Sequence, residues 1–168
     1  GALHLELENL ALEAPVRAAV QAARPLAEAR AIRLELRAPA VSPRVRGDAT
    51  RLQQVVGNLV GNAVKFTPQG GRIEVRLEEL PDRARLMVAD DGEGIEPDFL
   101  PFVFERFRQA DGTSTRRHGG LGLGLSIVQQ LVRLHGGEIV VASAGRDRGT
   151  TFTVTLPLAA APAPRAVR

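Results

Sequence analysis

Alternating glycines at residues 120, 122 and 124 are the part of this sequence whose chemistry is most informative. An apolar pattern with helical spacing follows them from Leu125 and predicts an amphipathic helix to about residue 135. Unpaired N–H groups and the helix dipole make such an N-terminus attractive to anions. A Walker A loop is excluded because the only lysine, Lys65, is followed by phenylalanine. A Rossmann turn is excluded because the glycines strictly alternate and follow a polar loop. The run predicts a different kind of phosphate site, with a flexible turn as the alternative.

A second group of polar residues lies on the helix that we predict from Asp48. Asn58, Asn62 and Lys65 are spaced four and three residues apart, so they share one stripe beside the apolar face. Asparagine is a poor residue for a helix interior, so two of them within an apolar run favour a purpose beyond a solvated face. Amide oxygens suit Mg²⁺, which retains phosphate and water as its other ligands, and a lysine can reach a phosphate. The stripe therefore predicts a metal and phosphate site.

A third group follows the strand that we predict over residues 84–90. Asp90 ends the strand, and Gly92 and Gly94 come directly after it. The carboxylate can accept an N–H from a flat ligand such as adenine, while the glycines let that ligand approach the backbone. An acidic turn is the alternative when this segment is taken alone.

Composition limits the class of protein. The 168 residues suffice for one domain, with 44% apolar and 24% charged residues. The absence of cysteine excludes disulfides and thiolate metal sites, and no apolar run approaches the roughly 20 residues of a membrane span. We expect a soluble, cytoplasmic domain, which is compatible with a membrane-anchored parent protein. The basic residues are scattered and there is neither Trp nor Tyr, so we expect no nucleic-acid partner despite a net charge of +3.

The order of the expected elements predicts an α+β fold. This fold is a two-layer sandwich, with a mixed, mostly antiparallel sheet, helices on one face and a mobile lid. Helices are expected over residues 14–30, 48–64 and about 125–135, and strands over 32–36, near 45, and over 72–79, 84–90, 138–143 and 150–156. The polar loop 109–120 would be the lid. We predict a linker remnant over residues 1–12, the domain over 13–158 and a disordered Ala/Pro-rich tail over 159–168.

In chain order, these three groups and the pair Phe104 and Phe107 resemble the N, G1, F and G2 boxes of sensor histidine kinases. The segments 62–68, 103–107 and 122–128 look like signatures of the catalytic, ATP-binding domain of that family. The resemblance covers roughly residues 10–157. It implies the Bergerat-type ATP-binding sandwich shared with gyrase, Hsp90 and MutL, and the cofactors ATP and Mg²⁺.

The resemblance also implies roles for individual residues. Asn62 would hold Mg²⁺, Asn58 and Lys65 would assist at the metal and phosphates, and Asp90 would bind adenine. The residues implied to contact nucleotide are Asn58, Asn62, Lys65, Phe66, Asp90, Gly92, Gly94, Ile95, Gly120, Leu121, Gly122, Leu123, Gly124, Leu125 and Thr150. Catalytic roles fall to Asn58, Lys65 and Arg106, whose guanidinium is a candidate for a γ-phosphate contact. We expect the phenylalanines at 99, 102, 104 and 107 to pack rather than bind ligand.

Position 58 and the histidines separate the members of the superfamily. Related ATPases carry a glutamate as general base where this chain has Asn58, which cannot take a proton. Phosphoryl transfer relies on positioning and charge stabilisation, so a histidine from outside could still attack. None of His4, His118 and His135 has the sequence context of a phosphoacceptor.

The acceptor is therefore expected on the dimerisation/phosphoacceptor domain of the same kinase, with the receiver domain of a response regulator as an indirect partner. We expect the parent protein to be a homodimer and the isolated domain to be a monomer. A nucleotide-gated interaction module and an ATPase clamp remain open as alternatives to the kinase.

Overall fold

Seven strands and three helices make up the part of the chain that the computed structural model describes, which is residues 4–105 and 121–159. The strands are β1 (Glu8–Ala11), β2 (Arg33–Arg37), β3 (Arg44–Gly47), β4 (Arg72–Glu79), β5 (Arg83–Asp90), β6 (Glu138–Ala142) and β7 (Thr150–Pro157). The helices are α1 (Glu13–Ala29), α2 (Ala49–Phe66) and α3 (Leu121–Leu134), and a short 3₁₀ turn spans Leu100–Phe102. No helix in these two segments is long and apolar enough to cross a membrane.

The main sheet has the strand order β2-β4-β5-β7-β6. Its first pair, β2 and β4, is parallel, and the other three pairs are antiparallel. The strands predicted over residues 72–79 and 84–90 are confirmed, and they pair as a hairpin whose register sets Ile73 opposite Asp90. On the other side of β5, Asp90 lies opposite Thr150 of β7. The carboxyl end of β5 thus lies between two strands in the middle of the sheet.

Alternation along the strands assigns one sheet face to the core and the other to solvent. Inward residues such as Val75, Leu86 and Val154 are at most 3% exposed and face the layer of helices. The outward face of β2, β4 and β5 carries ion pairs instead, among them Arg37 to Glu74. The expected α+β sandwich with helices on one face is confirmed.

Helix α2 is fixed at both of its ends. At the start, Asp48 is the N-cap, and its Oδ1 accepts the N–H of Arg51 at 3.1 Å. At the other end, the Arg30 guanidinium donates to the carbonyl oxygens of Val64 and of Lys65, the latter at 3.3 Å. A cation is favourable there, because the last carbonyls of a helix are unpaired and carry the negative end of its dipole.

His135 joins the end of α3 to the beginning of α2. The side chain is buried, its Nδ1 lies 2.8 Å from the Leu131 carbonyl oxygen, and its Nε2 accepts the Asp48 N–H at 3.1 Å. Since the Asp48 N–H can only donate, Nε2 of the imidazole carries no proton and the ring proton lies on Nδ1. His135 therefore has a specific structural role: it holds the C-terminus of α3 at the N-terminus of α2.

Two elements differ from the sequence predictions. Within the predicted linker over residues 1–12, residues 8–11 form β1, which pairs antiparallel with β3 and buries Leu10. Few apolar residues mark so short a strand. Helix α3 begins at Leu121 and not after the glycines, so Gly122 and Gly124 lie within its first turn.

The phenylalanine-rich stretch packs as expected where it is described. Phe99 and Phe104 lie against the core, and the Phe104 ring meets the Phe152 ring edge to face with centroids 6.1 Å apart. The predicted lid, Arg106, His118, Gly120 and the tail beyond Ala159 lie outside the described residues.

Candidate functional site

Asp90 is held at the end of β5 by a backbone donor. Its Oδ1 accepts the Gly92 N–H at 2.8 Å. Burial raises the pKa of Asp90 to about 6, the backbone groups of Gly92 and Thr150 lower it, and the neighbouring charge of Asp91 raises it further. Burial makes this carboxyl costly to ionise, and a ligand that donates a hydrogen bond would stabilise the ionised form. Carboxyl groups with such a perturbed pKa are typical of binding sites.

The loop after Asp90 lies directly against the end of α2. The Glu93 N–H donates to the Phe66 carbonyl oxygen at 3.2 Å. At Gly92, an added Cβ would lie 2.4 Å from that same oxygen and 3.0 Å from Asp90 Oδ1, so no side chain fits there. This contact brings two of the predicted groups together, the polar stripe of α2 and the Asp90 segment.

The polar stripe of α2 contains a buried amide nitrogen that has no partner in the described part of the chain. Asn58 and Asn62 are half-buried and Lys65 is exposed. The Asn62 Nδ2 is buried and forms no hydrogen bond among the described residues. Rotation of the amide exchanges its oxygen and nitrogen, so the unpaired position is open to either atom. Because buried polar atoms are normally paired, this position fits a bound group such as a metal ion or its water.

The N-terminus of α3 supplies a further group of backbone donors. α3 packs on α2, and the His135 contact fixes its C-terminus at the start of α2. Its first residues, from Leu121 to Gly124, therefore lie at the end of α3 that is remote from the start of α2. The first four N–H groups of a helix have no partner within it, so they can receive an anion. Leu125, at 1% exposure, contributes its side chain to the core.

The turn before Thr150 lies against the same loop after Asp90. It spans residues 143–149 between β6 and β7, and its Gly149 N–H donates to the Gly92 carbonyl oxygen at 3.2 Å. Ser143 Oγ accepts the Ile95 N–H at 2.9 Å. Ile95 is half-buried against the core. The one signal in the sequence was that this glycine-containing turn directly precedes Thr150.

These groups together suit a nucleotide. A half-buried carboxylate and a bare backbone can take a flat base, and an amide, a lysine and helix N–H groups can take phosphates. Within residues 4–105 and 121–159 no three His, Cys, Asp or Glu side chains cluster as metal ligands. A metal ion bound near Asn62 would thus rely mainly on phosphate and water oxygens, as Mg²⁺ does with nucleotides.

Comparisons with known proteins agree with this arrangement. The family described as histidine kinase-, DNA gyrase B- and HSP90-like ATPases matches residues 47–160. Hybrid signal transduction histidine kinase D of Dictyostelium discoideum is 42% identical over 136 residues, which are 67% of this chain and 9% of that protein. This chain therefore spans only a small part of that relative.

Solved structures of two kinases resemble the whole described fold. Full-length ShkA in complex with AMPPNP is 33% identical, with a TM-score of 0.82 over 98% of this chain and 34% of that one. The nucleotide-free catalytic domain of ThkA is 27% identical, with a TM-score of 0.78 over 90% of this chain and 95% of that one.

ThkA is also known in complex with the response regulator protein TrrA. That structure has a TM-score of 0.76 and 26% identity to this chain, over 92% of this chain and 42% of the kinase. From the matched family and these likenesses, this chain belongs to the histidine kinase-, DNA gyrase B- and HSP90-like ATPases, as the ATP-binding catalytic domain of a sensor histidine kinase.

Proposed function

We propose that this domain binds ATP with Mg²⁺ and transfers the γ-phosphoryl group to a histidine on a separate dimerisation/phosphoacceptor domain. The observation that carries the proposal is the contact between Phe66 and the loop after Asp90, which sets the phosphate-binding stripe beside the base-binding carboxylate. The AMPPNP complex of ShkA supports a nucleotide at such a site.

Each part of the site has a role in binding. The Asp90 carboxylate accepts the adenine amine, and Gly92 leaves space for the base. Asn62 would supply an amide oxygen to Mg²⁺, which would neutralise phosphate charge, and Asn58 and Lys65 would assist at the metal and the phosphates. Gly94, Ile95 and Thr150 complete the base site, and the N–H groups from Leu121 to Leu125 receive phosphate. Gly120 and Arg106 remain predictions for the hinge and the γ-phosphate.

The transfer itself needs a nucleophile that this chain does not provide. An imidazole nitrogen attacks the γ-phosphorus, the new N–P bond replaces the P–O bond to ADP, and ADP departs with the electron pair. Asn58 cannot act as a general base toward water, which favours transfer over hydrolysis. Asn58 helps to position the phosphates, and Lys65 offsets their charge. Both act while the acceptor nitrogen approaches the γ-phosphorus to about 3 Å.

Labelling with γ-labelled ATP tests this division of labour. The purified domain alone should bind ATP but neither label itself nor release phosphate appreciably. Addition of the parent protein's phosphoacceptor fragment should produce acid-labile label on the histidine of that fragment. Label on His4, His118 or His135 would contradict the proposal. Rapid phosphate release would favour an ATPase clamp, and binding without transfer to the fragment would favour a nucleotide-gated interaction module.

The partners and location follow from the same proposal. The parent protein would act as a homodimer through its phosphoacceptor domain and pass the phosphoryl group to a response regulator. ATP is supplied in the cytoplasm, so the domain would work there. Size-exclusion chromatography with light scattering should show the isolated domain as a monomer.

Replacement of Asn62 by alanine should weaken ATP binding about tenfold with Mg²⁺ and less than twofold with a chelator, because the lost oxygen is a metal ligand. Titration calorimetry under both conditions measures the difference. Gln53→Ala, on an exposed position of the same helix, is the matched control and should change neither value. Equal losses with and without the metal would make Asn62 a structural residue.

ATP affinity should fall as the pH is lowered through about 6, because the base amine needs an ionised Asp90 and burial raises the pKa of this carboxyl to about 6. With that value, affinity at pH 5 should be about tenfold below the affinity at pH 8. Binding at pH 6 should also release about half a proton. Calorimetry in buffers of different ionisation enthalpy measures that release, and no proton release would argue against Asp90 as the acceptor.

A further inference from the structure

We propose that Ser143 is a positioning residue for base recognition, whose hydroxyl fixes the loop after Asp90 to the turn before Thr150. This inference rests on the proposed function, because it concerns the same nucleotide site. Ser143 itself follows β6 and is about fifty residues away in sequence from the loop that it holds.

The Ser143 hydroxyl uses its full hydrogen-bonding capacity between the two segments. Its oxygen accepts the Ile95 N–H at 2.9 Å and, more weakly, the Gly145 N–H at 3.3 Å. Its proton is donated to the Gly149 carbonyl oxygen at 2.8 Å, since the alternative acceptor on Gly145 lies farther away at 3.4 Å. A hydroxyl offers one donor and two lone pairs, so this single side chain joins the loop to both ends of the turn.

Backbone contacts continue the attachment beyond Ser143. The Asp147 N–H donates to the Glu93 carbonyl oxygen at 2.6 Å. Asp147 has a φ of 61°, which is uncommon for a residue with a side chain and indicates that the turn is held in one shape by its surroundings. Gly94 approaches the turn so closely that an added Cβ would lie 2.0 Å from the Gly145 carbonyl oxygen.

The turn and the loop meet at the residue that donates to Asp90. Gly92 donates its N–H to Asp90 Oδ1, while its carbonyl oxygen accepts from Gly149. Gly149 directly precedes Thr150, which lies opposite Asp90 in the sheet. The Ser143 hydroxyl thus acts on Asp90 through Gly92, which orients the carboxylate, without touching the carboxylate itself.

Replacement of Ser143 by alanine should lower the affinity for ATP and for ADP by the same factor of about five, a typical size for one lost hydrogen bond. Both nucleotides share the base, so a loss confined to ATP would contradict a role in base recognition. The pH midpoint of binding should also rise, because weaker N–H donation to Asp90 favours its protonated form. A merely structural loss of stability would leave this midpoint unchanged.

Ser42→Ala is the matched control. The Ser42 hydroxyl also bridges two segments, accepting the Glu13 N–H at 2.9 Å and donating to the Pro43 carbonyl oxygen at 2.9 Å. This change should leave nucleotide affinity and the pH midpoint at the wild-type values. Ser143→Thr, which keeps the hydroxyl, should restore most of the affinity that alanine loses.

The outcomes separate this inference from the proposed function. If the wild-type domain binds ATP and folded Ser143→Ala binds it equally well with the same pH midpoint, Ser143 has no positioning role and the proposed function stands. Absence of ATP binding by the wild-type domain would overturn both. If the alanine variant does not fold, Ser143→Cys, whose thiol is a weaker donor and acceptor, should lose at least about twofold, and unchanged binding would overturn the inference.

Discussion

Asp90→Asn should lower the affinity for ATP at least about tenfold, equivalent to about 1.4 kcal/mol or more of binding free energy. The substitution keeps the size of the side chain but replaces the anionic acceptor for the adenine amine with a neutral amide. The variant should also lose the proton release near pH 6. Titration calorimetry measures both effects, and an unchanged affinity would remove Asp90 from base recognition.

Asp91→Asn provides a control with the same chemical change one residue away. Asp91 is exposed, and its Oδ1 accepts the Arg72 N–H at 2.9 Å, so its carboxylate is hydrogen-bonded to the first residue of β4. We expect ATP affinity within about twofold of the wild-type value, since exposed charges contribute little. A tenfold loss in this variant would mean that local charge, and not Asp90 itself, governs binding.

The nucleotide-free Asp90→Asn variant should not lose thermal stability at pH 7. The folded-state pKa of Asp90 is raised to about 6 from its ordinary value of 3.8. Its contribution to stability is therefore complete below pH 4 and is lost as the pH rises through 6. At pH 7 the ionised group opposes folding, and asparagine removes that penalty. A melting temperature several degrees below wild type would show that the carboxylate supports the fold.

Gly94→Ala should be the most disruptive single methyl addition near the site. Gly94 has a φ of 72°, and the new Cβ would lie 2.0 Å from a backbone oxygen of Gly145, so the loop and the turn would have to separate. We expect a loss of about 2 kcal/mol or more in unfolding free energy, together with a loss of ATP binding. Urea unfolding and calorimetry measure the two effects.

Gly57→Ala adds the same methyl group where the structure has room. Gly57 lies inside α2, and an added Cβ there meets nothing within 4 Å. Alanine should raise the unfolding free energy by about 0.5–1 kcal/mol, because it is the better helix former. If both variants lost similar stability, the close approach of Gly94 to the turn would not be the cause.

Sequence patterns predicted the elements that carry repeated apolar spacing or a local cap. The helix from Asp48, its polar stripe and the two strands that became β4 and β5 were all predicted, because each depends on neighbouring residues. Strand β1 was missed because its four residues bury little and depend on a partner strand more than thirty residues away. The start of α3 was misplaced because glycine propensity alone argues against a helix, whereas here two glycines lie in its first turn.

The motifs in the site were predicted, but the contacts that shape them were not. Asp90 and Gly92 were identified from type and spacing, which is local information. Ser143 and Arg30 escaped notice because their roles are defined only by segments that the fold brings to them, the loop after Asp90 and the end of α2. A serine in a turn and an arginine at a helix end are common, so neither residue type signals such a contact.

The hydrogen bonds at Asp48 carry a mechanical consequence. The Glu6 N–H donates to Asp48 Oδ2 at 3.0 Å and is the main cause of the lowered pKa of that carboxyl, while Asp48 Oδ1 caps α2. Strand β1 is at the same time clamped along β3, which runs directly into Asp48. A force or rotation applied to the chain ahead of Glu6 would therefore act directly on the N-terminus of α2, the helix that carries Asn58 and Asn62.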